Sequence, residues 1–157
     1  MKSVPSPNLN ENLIDAVLGL YQQENQRIWW PFASDSMSPY IREGDVVLVQ
    51  HASRRFRVGD VIVFKRAGDL VAHRVVSVRG RGMDIIYRTK GDNLRSFDPP
   101  VPRSSVLGMV ICIRKDGTSI HLEKPHVKFL NYVLAGFSYL SGIFYKAARL
   151  RFSRIAD

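Results

Sequence analysis

The feature that most restricts the fold is a series of short β-branched and apolar runs between residues 46 and 122. They are Val46–Val49, Val61–Phe64, Val71–Val78, Ile85–Tyr87, Val106–Ile113 and Ser119–Leu122, and Gly, Asp, Asn or Pro punctuates most of them. Runs of this length, separated by turn formers, read as strands. Six of them predict a mainly β domain built as a coiled, partly closed, barrel-like antiparallel sheet rather than a parallel one. Gly44-Asp45-Val46-Val47 and Gly59-Asp60-Val61-Ile62 nearly repeat. Each Gly-Asp reads as a turn feeding a strand.

Two zones of different character flank this region. Over residues 8–28, Leu9, Leu13, Ile14, Val17, Leu18 and Tyr21 follow helical spacing, with Asn8 or Asn10 as the N-cap. From Phe129 to Tyr145 the chain has 17 residues without a charge. That is the lower limit for a spanning helix, which needs about 17–25 residues. Lys146, Arg149, Arg151 and Arg154 follow it, against Lys124 and Lys128 before it. Three readings stay open for this segment: a helix in the membrane interface, a short span with its basic end cytoplasmic, or a helix packed on the domain or a partner. The expected organisation is an N-terminal helical segment (1–28), a β domain (29–123) and a C-terminal apolar and basic helix (124–157).

The net charge of +9 on 157 residues calls for an acidic partner or surface. Anionic lipid contacted through residues 127–154 accounts for much of it, so a membrane surface is the expected partner and nucleic acid is not. The polar stretch from Met1 to Asn12 has no apolar h-region, so neither a cleaved signal nor an N-terminal span is expected. The single cysteine, Cys112, sits in an apolar run and reads as a small core residue. His51, His121 and His126 have no ligand-like spacing with one another or with Cys112, so neither a metal nor a cofactor is expected.

The chemistry-bearing stretch is Ser34-Asp35-Ser36-Met37-Ser38-Pro39, a serine-rich turn before the Gly44-Asp45 strand start. Alone, such serines are more often turn formers than nucleophiles. With its downstream partners this stretch resembles the nucleophile box of type I signal peptidases, a Ser-Met pair followed one residue later by Pro. Gly59 to Phe64 resembles that family's next strand, Ala72-His73-Arg74-Val75-Val76 its base box, and Thr89-Lys90-Gly91-Asp92-Asn93 with Asp98 its acidic box. The ordered set spans about residues 33–110. Having His73 where the usual bacterial form has lysine, the chain is similar to the archaeal and endoplasmic-reticulum form.

The resemblance implies a serine endopeptidase with Ser36 as nucleophile and His73 as base. A serine hydroxyl needs a base to take its proton, and an imidazole, with an unperturbed pKa of about 6.5, can do so near neutrality. The family match puts the triad acid at Asp98, with Asp92 as the alternative or as an assisting residue. The Ser36 N–H and the Ser34 hydroxyl are the implied oxyanion donors. Asp35 stands where the family has a small residue, and a carboxylate there disfavours the oxyanion unless it points to solvent. Lys90 is the other conceivable base, but its box resembles the acidic one. The implied substrate is a precursor protein or leader peptide, bound as an added strand and cut after small residues near the membrane. Trp29, Trp30, Pro31 and Phe32 suit either an interfacial rim or a staple between N-terminal helix and barrel.

Membrane association, with the side of the active site open, is the expected location. The chain departs from the family in offering its membrane candidate at the C-terminal rather than the N-terminal end. Rival readings are a self-cleaving cytoplasmic relative on the same fold, akin to the SOS repressors, an inactive basic module binding membrane or nucleic acid, and a dedicated maturation protease for one peptide. The first rival conflicts with His73 and with the lack of an Ala-Gly or Cys-Gly site before the domain. The second conflicts with the retention of Ser36, His73 and both aspartates.

Overall fold

The computed structural model describes residues 26–51 and 55–153. Eight strands form one sheet: β1 (Arg27–Pro31), β2 (Val46–Gln50), β3 (Val61–Arg66), β4 (Asp69–Arg79), β5 (Ile86–Lys90), β6 (Val101–Pro102), β7 (Val106–Lys115) and β8 (Thr118–His121). A helix, α1, covers Pro125–Ser153. The order across the sheet is β1-β2-β7-β3-β4-β5-β6. β2 pairs along one edge of β7, while β3 and β8 share the other. Among the described residues every pairing is antiparallel, and the path ends openly at β1 and β6. The chain is thus mainly β and antiparallel, with an apolar C-terminal helix.

The unbroken apolar runs have a structural cause. Successive side chains of a strand point to opposite faces. In β3, Val61 enters one core with Val47, Val49 and Val110, while Ile62 and Phe64 enter a second with Met109, Ile111 and Tyr87. A strand buried on both faces needs apolar residues at consecutive positions rather than alternate ones.

The two Gly-Asp turns are built alike. Asp45 Oδ2 accepts the Arg42 N–H and Asp60 Oδ2 the Arg57 N–H, both at 2.8 Å. Gly44 and Gly59 sit at φ of +89° and +97°, where a side chain is strained. Both aspartates are therefore turn formers.

Two strands exceed the six that the runs predict. β1 is short and ends in Pro31, and β6 is only two residues beside a proline cluster. β6 is too short to mark a strand, and β1, as long as β2 and β5, lies in the stretch whose Trp29, Trp30, Pro31 and Phe32 read as a rim or a staple. The helix expected over residues 8–28 lies, through residue 25, outside the described residues, and Arg27 and Ile28 belong to β1.

Candidate active site

Ser36 sits on a single 3₁₀ turn, Asp35–Met37, just after β1. Ser34 caps this turn by accepting the Ser36 N–H on its hydroxyl oxygen at 3.1 Å. Met37, fully buried behind Ser36, anchors the turn in the first core together with Phe32. The local pattern of cap, hydroxyl and apolar anchor thus presents the Ser36 side chain from a fixed base. The loop after β5 braces it from the other side. Asn93 donates its backbone N–H to the Ser36 carbonyl at 2.9 Å and its side-chain amide to the Asp35 carbonyl at 3.2 Å. The approach is close enough that a Cβ on Gly91 would sit 2.6 Å from the Ser36 carbonyl oxygen.

His73, on β4, is 2% exposed. Its Nε2 lies 3.1 Å from Ser36 Oγ and its Nδ1 2.6 Å from Asp98 Oδ2. With Nδ1 protonated, Nε2 is free to accept the Ser36 hydroxyl proton. Asp98 Oδ2 also accepts the Thr89 hydroxyl at 2.7 Å, and Oδ1 accepts Arg66 Nη1 at 2.7 Å. Burial is the largest single influence on this carboxyl and pushes its pKa up. The His73 hydrogen bond and charge, the Thr89 hydroxyl and Arg66 together outweigh it and hold the group below the usual carboxylate value. Asp98 is thus an ionised acceptor locked to the imidazole.

Asp92 faces elsewhere. Arg74, the next residue after His73 and wholly buried, grips it in a fork: Nε to Oδ1 at 2.9 Å and Nη2 to Oδ2 at 2.6 Å. Arg74 Nη1 also donates to the Gly59 carbonyl and to Asn131 Oδ1 on α1. Lys90 turns the same way, donating to the Gly91 carbonyl and to Ser138 Oγ on α1, both at 3.2 Å. Its burial lowers the ammonium pKa, which Asp92 and Asp98 raise only in part. The structure therefore brings Ser36, His73 and Asp98 together, and it sends Asp92 and Lys90 to the junction with α1.

A cleft of about 250 Å³ runs past Ser36 and His73. Residues 30–34 line one side, Leu70–His73 the other, and Val47, Val49 and Val63 the floor between them. β1 pairs only with β2, and β4 meets β5 only from Arg74 onward. Among the described residues, both walls therefore carry a strand edge without a neighbour, the arrangement that takes an extended peptide.

The other residues singled out by sequence have plain places. Asp35 is exposed and its Oδ1 lies 3.5 Å from the Glu43 N–H. Trp30 and Phe32 pack on the core and line the cleft, while Trp29 lies outside under the Arg114 guanidinium, 4.2 Å from its ring centre. Cys112 is buried in β7, and His51 Nδ1 bonds the Leu107 carbonyl. Among the described residues no three His, Cys, Asp or Glu side chains gather as a metal site. Sequence reasoning missed Arg74, Thr89, Arg66, Asn131 and Ser138 as partners. A signal existed for three of them. Arg74 is a charge inside the valine-rich run Val71–Val78, and Asn131 and Ser138 lie seven apart, hence on one face, in the uncharged stretch of the helix.

Comparison with known proteins gives the family. The Peptidase S24-like family model matches residues 6–88, more than half of the chain. Ser36 and His73 fall inside the match, and Asp92 and Asp98 lie beyond its end. The chain is 35% identical over 68 residues to signal peptidase I W of Bacillus subtilis (strain 168), an alignment covering 41% of this chain. It spans only 36% of that relative's length.

Proposed function

The chain belongs to the S24-like peptidase family, and from that premise we propose that it is a serine endopeptidase of signal peptidase type, cutting an extended segment after small residues. The observation that carries the reading is the hydrogen-bonded chain Ser36 Oγ–His73–Asp98, opening on a cleft walled by two unpaired strand edges. In this mechanism the substrate pairs with the edges and presents its carbonyl to Ser36 Oγ. His73 Nε2 takes the hydroxyl proton as Oγ attacks, and later returns it to the leaving amine. Asp98 keeps the Nδ1 proton in place and stabilises the imidazolium.

The oxyanion arrangement has one particular feature. The Ser36 N–H is already bonded to Ser34 Oγ, and that bond leaves the Ser34 hydroxyl proton free. Ser34 is therefore the donor assigned to the developing oxyanion. Loss of one such donor costs about 10²–10³-fold in turnover. Asp35 does not oppose this, because its carboxylate reaches toward Glu43 at the exposed surface.

The test is cleavage of precursor peptides with small residues at the cut site by the wild type, Ser36→Ala, His73→Ala and Ser34→Ala. Cleavage lost in the first two variants and reduced in the third supports the reading. Equal cleavage by all four proteins marks a contaminating activity. If none cleaves while all are folded, the proposal is refuted and the binding-module alternative gains.

A further inference from the structure

Helix α1 is amphipathic in the reverse of the usual sense. The face that meets the domain is built mainly of small and polar residues: Asn131, Ala135 and Ser138 are buried there and Gly142 sits against the Phe97 ring, with half-buried Val127 and Tyr139 beside them. The face turned outward is apolar. Phe129, Tyr132, Phe137 and Phe144 are 63–72% exposed, with Leu130, Leu140 and Ile143 beside them. At about 100° per residue these positions cover roughly half the circumference, and at about 1.5 Å per residue the uncharged stretch 129–145 is about 25 Å long. A helix on a protein in water ordinarily puts its apolar stripe inward. Exposed apolar surface of this extent marks an interaction site.

Two observations choose the occupant. The first is charge: exposed Lys124 and Lys128 precede the stretch and exposed Lys146 follows it, on a chain of net charge +9. An apolar face with cations at both ends fits an anionic bilayer surface. The second is the docked side. Asn131 and Ser138 are hydrogen-bonded to buried Arg74 and Lys90, and Arg74 holds Asp92. If α1 crossed the bilayer as docked, these charged groups would enter the hydrocarbon with it, at a cost of several kcal/mol that isolated spans avoid.

We propose that α1 lies flat in the interface of an anionic membrane, with its outward face among the acyl chains, and does not cross it. The outward face continues over a groove of about 540 Å³, lined by Leu130, Leu134 and Phe137 together with Ser138, Ser141 and the Arg74-paired Asp92, onto Pro39 and Tyr40. These last two follow the Ser36 turn closely in sequence, so membrane docking holds that turn beside the lipid surface. The inference goes beyond the peptidase reading and does not need it, since its test involves no cleavage.

The test uses the purified full chain with vesicles of phosphatidylcholine, with and without phosphatidylglycerol. Single cysteines replacing Leu130, Phe137 and Phe144 carry an environment-sensitive fluorophore, and Cys112 is buried and does not compete for the label. The expected result is binding to the phosphatidylglycerol vesicles that weakens with salt, and equal, shallow quenching depth at the three sites. Phe137→Glu with Phe144→Glu, folded by circular dichroism, should weaken partitioning at least about tenfold. Depths stepping by about 10 Å between sites seven residues apart would identify a span and overturn the proposal. Failure to bind phosphatidylglycerol vesicles also overturns it. In that case a dimer by sedimentation, lost in the Phe137→Glu, Phe144→Glu variant, names a second copy of the chain as the occupant.

Discussion

Asp98→Asn separates the roles of the two neighbouring aspartates. The Asp98 carboxylate accepts from Arg66 on one oxygen and from His73 and Thr89 on the other. An amide offers a single acceptor oxygen, so one of these sets must face an NH₂ group. With the amide nitrogen toward His73, Nδ1 becomes an acceptor, the ring proton moves to Nε2, and Nε2 can no longer take the Ser36 proton. With the nitrogen toward Arg66, the tautomer survives, but the charge that stabilises the imidazolium is gone. The wrong tautomer costs about 10⁴-fold in turnover where such triads operate, so a kcat loss of about 10³–10⁴-fold is expected. The stability cost is about 1.5–3 kcal/mol on the buried side, as for a hydrogen bond to a charged group. Little is added on the Arg66 side, where the arginine is 44% exposed and screened. Since the folded pKa of Asp98 lies below its unfolded value, its stabilisation is full above about pH 4 and is lost as pH falls through the folded pKa. Asp98→Asn should flatten that acid limb. Asp92→Asn should behave oppositely: it unbalances the buried pair with Arg74 and lowers stability, with kcat within about tenfold of wild type. The assay is kcat and KM on a quenched-fluorescence peptide, beside urea unfolding at several pH values. A kcat for Asp98→Asn within about tenfold of wild type, or a larger kcat loss in Asp92→Asn, refutes the assignment.

Arg74→Met strands the Asp92 carboxylate and should cost about 3–5 kcal/mol in urea unfolding, with Arg74→Met, Asp92→Leu recovering a large part because both charges are then gone. Lys90→Met should leave cleavage within about tenfold, since Nζ is held by the Gly91 carbonyl and Ser138 Oγ on α1 while Ser36 Oγ faces His73. Burial lowers the Lys90 ammonium pKa. Between its folded and unfolded pKa values the unfolded chain binds more protons, so stability rises with pH there, and Lys90→Met should remove that slope. Gly91→Ala sets a Cβ against the Ser36 carbonyl oxygen, and a displaced nucleophile turn should lower kcat by about 10²-fold, more than the destabilisation of about 1–3 kcal/mol would suggest.

How far the sequence could be read depended on the range of each signal. The Gly-Asp turns were legible because the aspartate, the glycine and the bonded N–H lie within four residues. The strands β3 and β7 were legible because burial on both faces writes itself as an unbroken apolar run. β6 was not, since two residues make no run, and β1 was not, since it ends in Pro31 and its tryptophans read equally as a rim or a staple. Ser36 and His73 stood out through the order of four boxes rather than by any local property, since a serine in a polar turn and a histidine in a strand are individually commonplace.

The amino-acid order by itself determined the β-rich class, the turn positions, the uncharged helix and the short list of groups able to do chemistry. The first three follow from composition and period over a few residues, and the last from the resemblance of four ordered boxes to a known family. The resemblance pointed to Asp98 and left Asp92 open, and tertiary structure decided which aspartate meets the imidazole. Asp92 and Asp98 lie on one loop and are chemically identical, and the choice is made by Thr89 and Arg66 around one and by Arg74 around the other. It alone decided, too, which face of α1 turns inward. Hydropathy along an uncharged helix favours burying its aromatic side. Buried Arg74 and Lys90 instead draw Asn131 and Ser138 against the domain, because a buried cation without hydrogen-bond acceptors costs more than the apolar burial that is forgone.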